Sequence, residues 1–126
     1  MDPNDKLLLY KAIHLSGIIL SFVSLGALAT IALRGSERRS RFPAIGHGVG
    51  LFLVLLGGFG MLAMLQKLKM IEGWPTWLVI KLVLWVALGG AIAVFKRKPD
   101  LARATIGACI AFGVVATIMA LFKPFA

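Results

Sequence analysis

Hydrophobic residues gather in four long stretches, at 7–33, 44–65, 76–95 and 104–122, separated by short polar connectors. Each stretch holds about 19–27 residues, and a helix needs about 20 to cross the hydrocarbon core of a bilayer. Backbone amides and carbonyls in lipid have no water to bond, so each stretch must satisfy its own backbone as a helix. The pattern predicts an all-α fold: a membrane-embedded, up-down antiparallel four-helix bundle forming one domain over residues 1–126. Up-down order follows from the connectors, which are too short to hold a folded extramembrane domain.

The connectors carry matching chemistry. Arg34-Gly35-Ser36-Glu37-Arg38-Arg39-Ser40-Arg41-Phe42-Pro43 supplies a helix-ending glycine and a proline suited to opening the next helix. Lys96-Arg97-Lys98-Pro99-Asp100 closes the third stretch in the same manner, and Gly73-Trp74-Pro75 marks the turn before it. The N-terminus, Met1-Asp2-Pro3-Asn4-Asp5, lacks the basic region of a cleaved signal peptide. The stretch that follows it is also longer than the roughly 7–15 apolar residues such a peptide uses.

Composition agrees: 60% of residues are hydrophobic, against about 45–50% in soluble domains. A small soluble fold leaves too much of its surface exposed to hide that share. The net charge of +9 could suggest nucleic acid, but the cations sit in short clusters between apolar stretches. That placement fits positive-inside topology and attraction to anionic lipid headgroups, with no nucleic-acid partner. The first and third connectors hold Arg34, Arg38, Arg39, Arg41, Lys96, Arg97, Lys98 and Arg103. The opposite side holds Lys6, Lys11, Lys67, Lys69 and Lys123, diluted by Asp2, Asp5 and Glu72. The more basic side belongs in the cytoplasm, which puts both termini outside, on the periplasmic side of a bacterial inner membrane. The lone Cys109 lies in an apolar stretch and reads as a small buried hydrophobe.

Small residues predict how the helices meet. Gly46, Gly50, Gly57 and Gly60 fall within about 40° of one direction on the second helix, a smooth face for close helix packing. Gly17, Ser21 and Ser24 form a lesser counterpart on the first helix, and Gly107, Ala108, Gly113, Ala116 and Ala120 one on the fourth.

Three ionisable residues fall inside the stretches, His14, His47 and Lys81, and each is costly there. Histidines on two helices invite a bis-histidine haem, but the ends of the apolar stretches place them about 24 Å apart in depth at 1.5 Å per residue. His47, close to Pro43 and the arginines, is expected at the cytoplasmic interface. His14 and Lys81 instead share a level, about 8–10 Å below the outer boundary. Tyr10, Gly17 and Ser21 share the His14 face, and Trp77 and Trp85 flank Lys81 at one turn either side. Such a set suits a flat anionic or carbonyl-bearing ligand: haem b, a porphyrin or other tetrapyrrole, or a quinone. Two structural readings stand beside it: Lys81 snorkelling to the interface, and His14 bonding a neighbouring helix. Gln66, ending the second helix, is placed to join this outer cluster.

No carboxylate lies within a stretch, and no nucleophile triad, phosphate loop or metal-ligand spacing occurs. The first function reading is therefore non-catalytic: an accessory or structural component packing against other membrane subunits or a second copy. Lys11-Ala12-Ile13-His14, Trp77-Leu78-Val79-Ile80-Lys81-Leu82, Gly46-His47-Gly48-Val49-Gly50-Leu51 and Gly57-Gly58-Phe59-Gly60-Met61-Leu62-Ala63 resemble small bacterial inner-membrane proteins of the SirB-like kind. More distantly, the chain resembles HemJ-type protoporphyrinogen oxidases, haem-associated four-helix membrane enzymes. In these a first-helix histidine follows a lysine by three residues, and a lysine follows a tryptophan early in a later helix. The matching positions are His14 and Lys81. The aromatic, proline- and histidine-containing segment of that family is replaced here by Ala27-Leu28-Ala29-Thr30-Ile31-Ala32-Leu33-Arg34. The resemblance therefore implies haem or porphyrin binding ahead of oxidase activity.

Overall fold

The computed structural model describes residues 2–34, 41–69 and 72–122. Four α-helices account for almost all of them: α1 (Pro3–Leu33), α2 (Arg41–Lys67), α3 (Thr76–Arg97) and α4 (Ala102–Phe122). A single 3-10 turn, Pro99–Leu101, leads into α4. All four helices are long and apolar enough to cross a membrane. Gly35, Arg38, Arg39 and Lys123, read above as a helix stop and as topology signals, lie outside the described residues.

Helix ends depart from the apolar stretches for local reasons. α1 starts at Pro3 because Asp2 caps it, accepting the Asp5 N–H at 2.9 Å, and proline at the first position has no amide to leave unpaired. α2 already begins at Arg41, with Pro43 inside its first turn instead of opening it. Amides there lack an intrahelical acceptor in any case, so proline costs little. α2 runs out through Lys69, whose φ of 59° is left-handed, and Gly73 adopts φ 58° in the following turn.

α1 and α2 make the most intimate pair. Tyr10 packs its ring on Gly60, the His14 backbone lies over Gly57, Gly17 and Ser21 meet Gly50, and the Ser24 hydroxyl meets Gly46. Numbers rise along α1 as they fall along α2, so one straight seam joins the two helices. The approach needs glycine. A Cβ on Gly57 would come within 2.5–2.7 Å of the His14 backbone and Cβ, and one on Gly50 within 2.7 Å of the Ser21 amide.

α3 and α4 attach through apolar clusters at the two ends of the bundle. At one end Leu25, Leu28 and Ala29 of α1 pack with Ala91 and Phe95 of α3 and Ala102 and Cys109 of α4. Cys109 is thus a buried free thiol. At the other end Phe59 and Leu62 of α2 meet Leu78, and the Phe59 and Trp74 rings stand 5.4 Å apart. Outward faces stay apolar: Val23 is 67% exposed and Val86 64%. Burial falls from 33% of the α1 span to 11% of the α4 span, so α4 holds least to the rest.

The seam makes a sharp prediction. Gly50→Ala and Gly57→Ala should each destabilise the protein by about 1–3 kcal/mol, the usual cost of overpacking. Gly48→Ala, where a Cβ meets nothing, should stay within about 0.5 kcal/mol of wild type. Reversible unfolding in mixed micelles measures both, and equal effects at seam and control positions would contradict the packing account.

Candidate functional site

The polar side chains within the four apolar helices reach mainly for backbone carbonyls on neighbouring helices. His14 places Nδ1 2.8 Å from the Val54 carbonyl oxygen of α2. That carbonyl is accessible because the residues three and four further on, which would flank it on a helix, are Gly57 and Gly58. Even a Cβ on Gly58 would sit 3.5 Å from the His14 ring. Since Nδ1 faces an acceptor, it carries the proton, and Nε2 of the neutral ring keeps its lone pair. The His14 side chain is half-buried and makes no other hydrogen bond among the described residues.

His47 is the other extreme. It is 1% exposed, with Nδ1 3.3 Å from the Ser21 carbonyl of α1 and Nε2 3.1 Å from the Leu88 carbonyl of α3. A neutral imidazole carries one N–H, so the ring donates to one of these carbonyls and sets its other nitrogen against the second, between three helices. Expected at the cytoplasmic interface, the ring is enclosed by protein. α2 begins three residues before the apolar stretch does, and its first turns pack against the interior of α1, so His47 faces protein. The depth between the histidines shrinks accordingly. His14 lies opposite Gly57, ten residues from His47 along α2, or about 15 Å instead of 24 Å. That still far exceeds the roughly 4 Å that two imidazole nitrogens on one metal require.

Trp85, the residue one turn beyond Lys81, donates its indole N–H to the Leu51 carbonyl of α2 at 2.9 Å. It therefore sits toward His47 and serves the α2–α3 contact. Lys81 is half-buried on α3, within electrostatic range of the His14 ring. Trp77 lies in the first turn of α3, and its side chain is outside the described set. Tyr10 sits one turn above His14, with its ring on Gly60. Ser21 belongs with His47: its carbonyl faces that ring, while its hydroxyl, buried against Gly50, has no hydrogen-bond partner among the described residues. Gln66 turns away from the cluster and donates to the Gly73 carbonyl at 2.7 Å, bracing the α2–α3 turn.

Sequence reasoning singled out His47 and Trp85 but not their part in holding α3 to α2. The Gly57-Gly58 doublet was the available signal for the His14 bond, since two missing side chains uncover one carbonyl. Among the described residues no group of three or more His, Cys, Asp or Glu side chains is placed to hold a metal ion. Comparison with protein-family models, curated proteins and solved structures found no match.

Removing the braces should loosen α3. Side-chain hydrogen bonds between membrane helices contribute about 0.6 kcal/mol on average and up to about 1.7. Trp85→Phe should therefore destabilise the protein by about that much, and His47→Ala by more, since it also empties a buried site. Micelle unfolding checks the order; a larger effect for Trp85→Phe would contradict the three-helix role of His47.

Proposed function

We propose that this chain is a multi-pass membrane protein without catalytic machinery, a helix-packing component that meets other membrane subunits or a second copy of itself. The observation that carries the reading is how the intramembrane polar groups are used. His14, His47 and Trp85 bond helix carbonyls across the bundle, and Thr30 and Thr117 bond the carbonyls of Gly26 and Gly113 on their own helices. These are structural uses. The numbering of contacts along α1–α2, and along α2–α3 from His47–Leu88 to Leu62–Leu78, supports an up-down antiparallel arrangement. In the inner membrane of a bacterium, the charge distribution puts both termini on the periplasmic side.

A second reading rests on His14. Its Nδ1–H···O=C bond to α2 is the orientation that presents Nε2 to a ligand, and Lys81 of α3 lies within electrostatic range of the ring. Haem b, a porphyrin or a quinone fits that chemistry. A protoporphyrinogen-oxidase-like activity is the weaker extension of it, because the first helix ends in an aliphatic segment without further histidine.

Two measurements separate these readings. Protein purified with its native partners should be colourless and should cross-link to another subunit or copy. A Soret band lost in His14→Ala would replace the first reading with the second. For topology, a Cys109→Ser background allows single cysteines to be placed at will. A cysteine at Asp2 should label from outside intact cells, and one at Asp100 only after permeabilisation; the reverse pattern would invert the orientation.

A further inference from the structure

The end of the bundle where Phe95, Ala102 and Leu28 meet gathers cations from every helix. Arg34 closes α1, Arg41 opens α2, Lys96, Arg97 and Lys98 close α3, and Arg103 follows the start of α4. All six are exposed, and none pairs with a carboxylate among the described residues, where Asp100 is the acid at this end. The opposite end sets Lys6, Lys11, Lys67 and Lys69 against Asp2, Asp5 and Glu72. The asymmetry is therefore far stronger in effective charge than in the number of cations.

Four of the six ride on one rigid turn. The Lys98 amide bonds the Val94 carbonyl at 2.8 Å, and the Leu101 amide bonds the Lys98 carbonyl at 3.0 Å. Phe95, 5% exposed, and Ala102, fully buried, pin either side of that turn into the core. Lys96, Arg97, Lys98 and Arg103 are thus held near one another before any ligand arrives, so less order is lost on binding. The Ala102 amide bonds the Pro99 carbonyl and closes the same turn. Apolar side chains flank the cations at the same end: Phe42, 88% exposed beside Arg41, and Leu101, 43% exposed.

Cations above and exposed apolar groups beside them match a molecule with an anionic head and a hydrocarbon tail. We infer that this end is a binding collar for anionic phospholipids, with the Lys96–Arg103 turn as its principal phosphodiester site. The inference rests on the membrane-spanning reading and names the lipid class that this face selects. It goes beyond topology: a positive-inside signal needs charge only during insertion, whereas a collar retains its lipids in the finished protein.

The test uses the full chain in nanodiscs of phosphatidylcholine, alone or with phosphatidylglycerol, and counts co-purifying lipids by native mass spectrometry. Near a membrane surface each basic residue favours an anionic lipid by about fivefold. Wild type should enrich phosphatidylglycerol over phosphatidylcholine by about tenfold or more, counting only part of the four-cation effect. K96Q/R97Q/K98Q/R103Q should bring the ratio close to its bulk value, while K96R/K98R should keep it. K67Q/K69Q at the other end should leave it unchanged. No enrichment in wild type, or equal loss in the two neutralised variants, overturns the collar. Failure of the wild-type chain to enter phosphatidylcholine discs at all would instead overturn the membrane-spanning reading beneath it.

Discussion

Helices surrounded by hydrocarbon gain nothing by hiding apolar side chains from water, so what holds them must be close contact and hydrogen bonding. In this chain both come from the glycine edge of α2. Glycine is a poor helix former in water, by about 1 kcal/mol per residue against alanine. Here each of Gly46, Gly50, Gly57 and Gly60 lets an α1 side chain or backbone segment take the space of a Cβ. The close contact then enables the polar one, because a bare helix surface uncovers its carbonyls. His14 reaches Val54 only where two successive glycines leave that oxygen accessible.

α2 becomes the hub of the bundle as a result. It accepts from His14 of α1 and Trp85 of α3, and its own His47 faces carbonyls of both those helices. α1 is joined to it along a full seam, whereas α3 is joined at separate points: two side-chain bonds in the middle and an apolar cluster at Phe59, Leu62 and Leu78. α4 depends on the cluster at the basic end and on Phe22 lying over Gly113. Regions with few buried contacts open first, so the α1–α2 pair forms the stable half of the molecule and α3–α4 the looser one. An apolar groove of about 330 Å³ between α1 and α4, lined by Ile18, Phe22, Ile110 and Gly113 among others, is the packing counterpart of that looseness.

The four helices were legible in the chain because each apolar stretch is as long as a bilayer is thick. The glycine edge was legible too, since helical periodicity needs no tertiary information. Helix rotation was not. Trp77, Lys81 and Trp85 share a face by spacing, yet spacing cannot say that Trp85 turns toward Leu51 of α2. Depth was only partly legible. Counting from the apolar boundary left out Arg41, Phe42 and Pro43, which continue the helix, because a charged residue at the membrane edge can be helical without being apolar. That omission is part of why the depth between the two histidines came out too large. A buried brace also leaves little trace in a single sequence: histidine has the same two nitrogens whether it faces water or two carbonyls.

The two histidines show how one side chain serves different ends in the same solvent. Each faces the backbone of a neighbouring helix, which removes most of the cost of placing an imidazole among apolar groups. At His47 both nitrogens face carbonyls in a site with almost no exposure, so a neutral ring donates to one of them and neither nitrogen is open to a metal or ligand. At His14 one nitrogen is committed and the other is not, the ring is half-buried, and a lysine from α3 stands nearby. Of the two rings, only that of His14 has a nitrogen with no carbonyl facing it. The two histidines are also separated along the bundle, since His14 lies opposite Gly57, ten residues from His47 on α2.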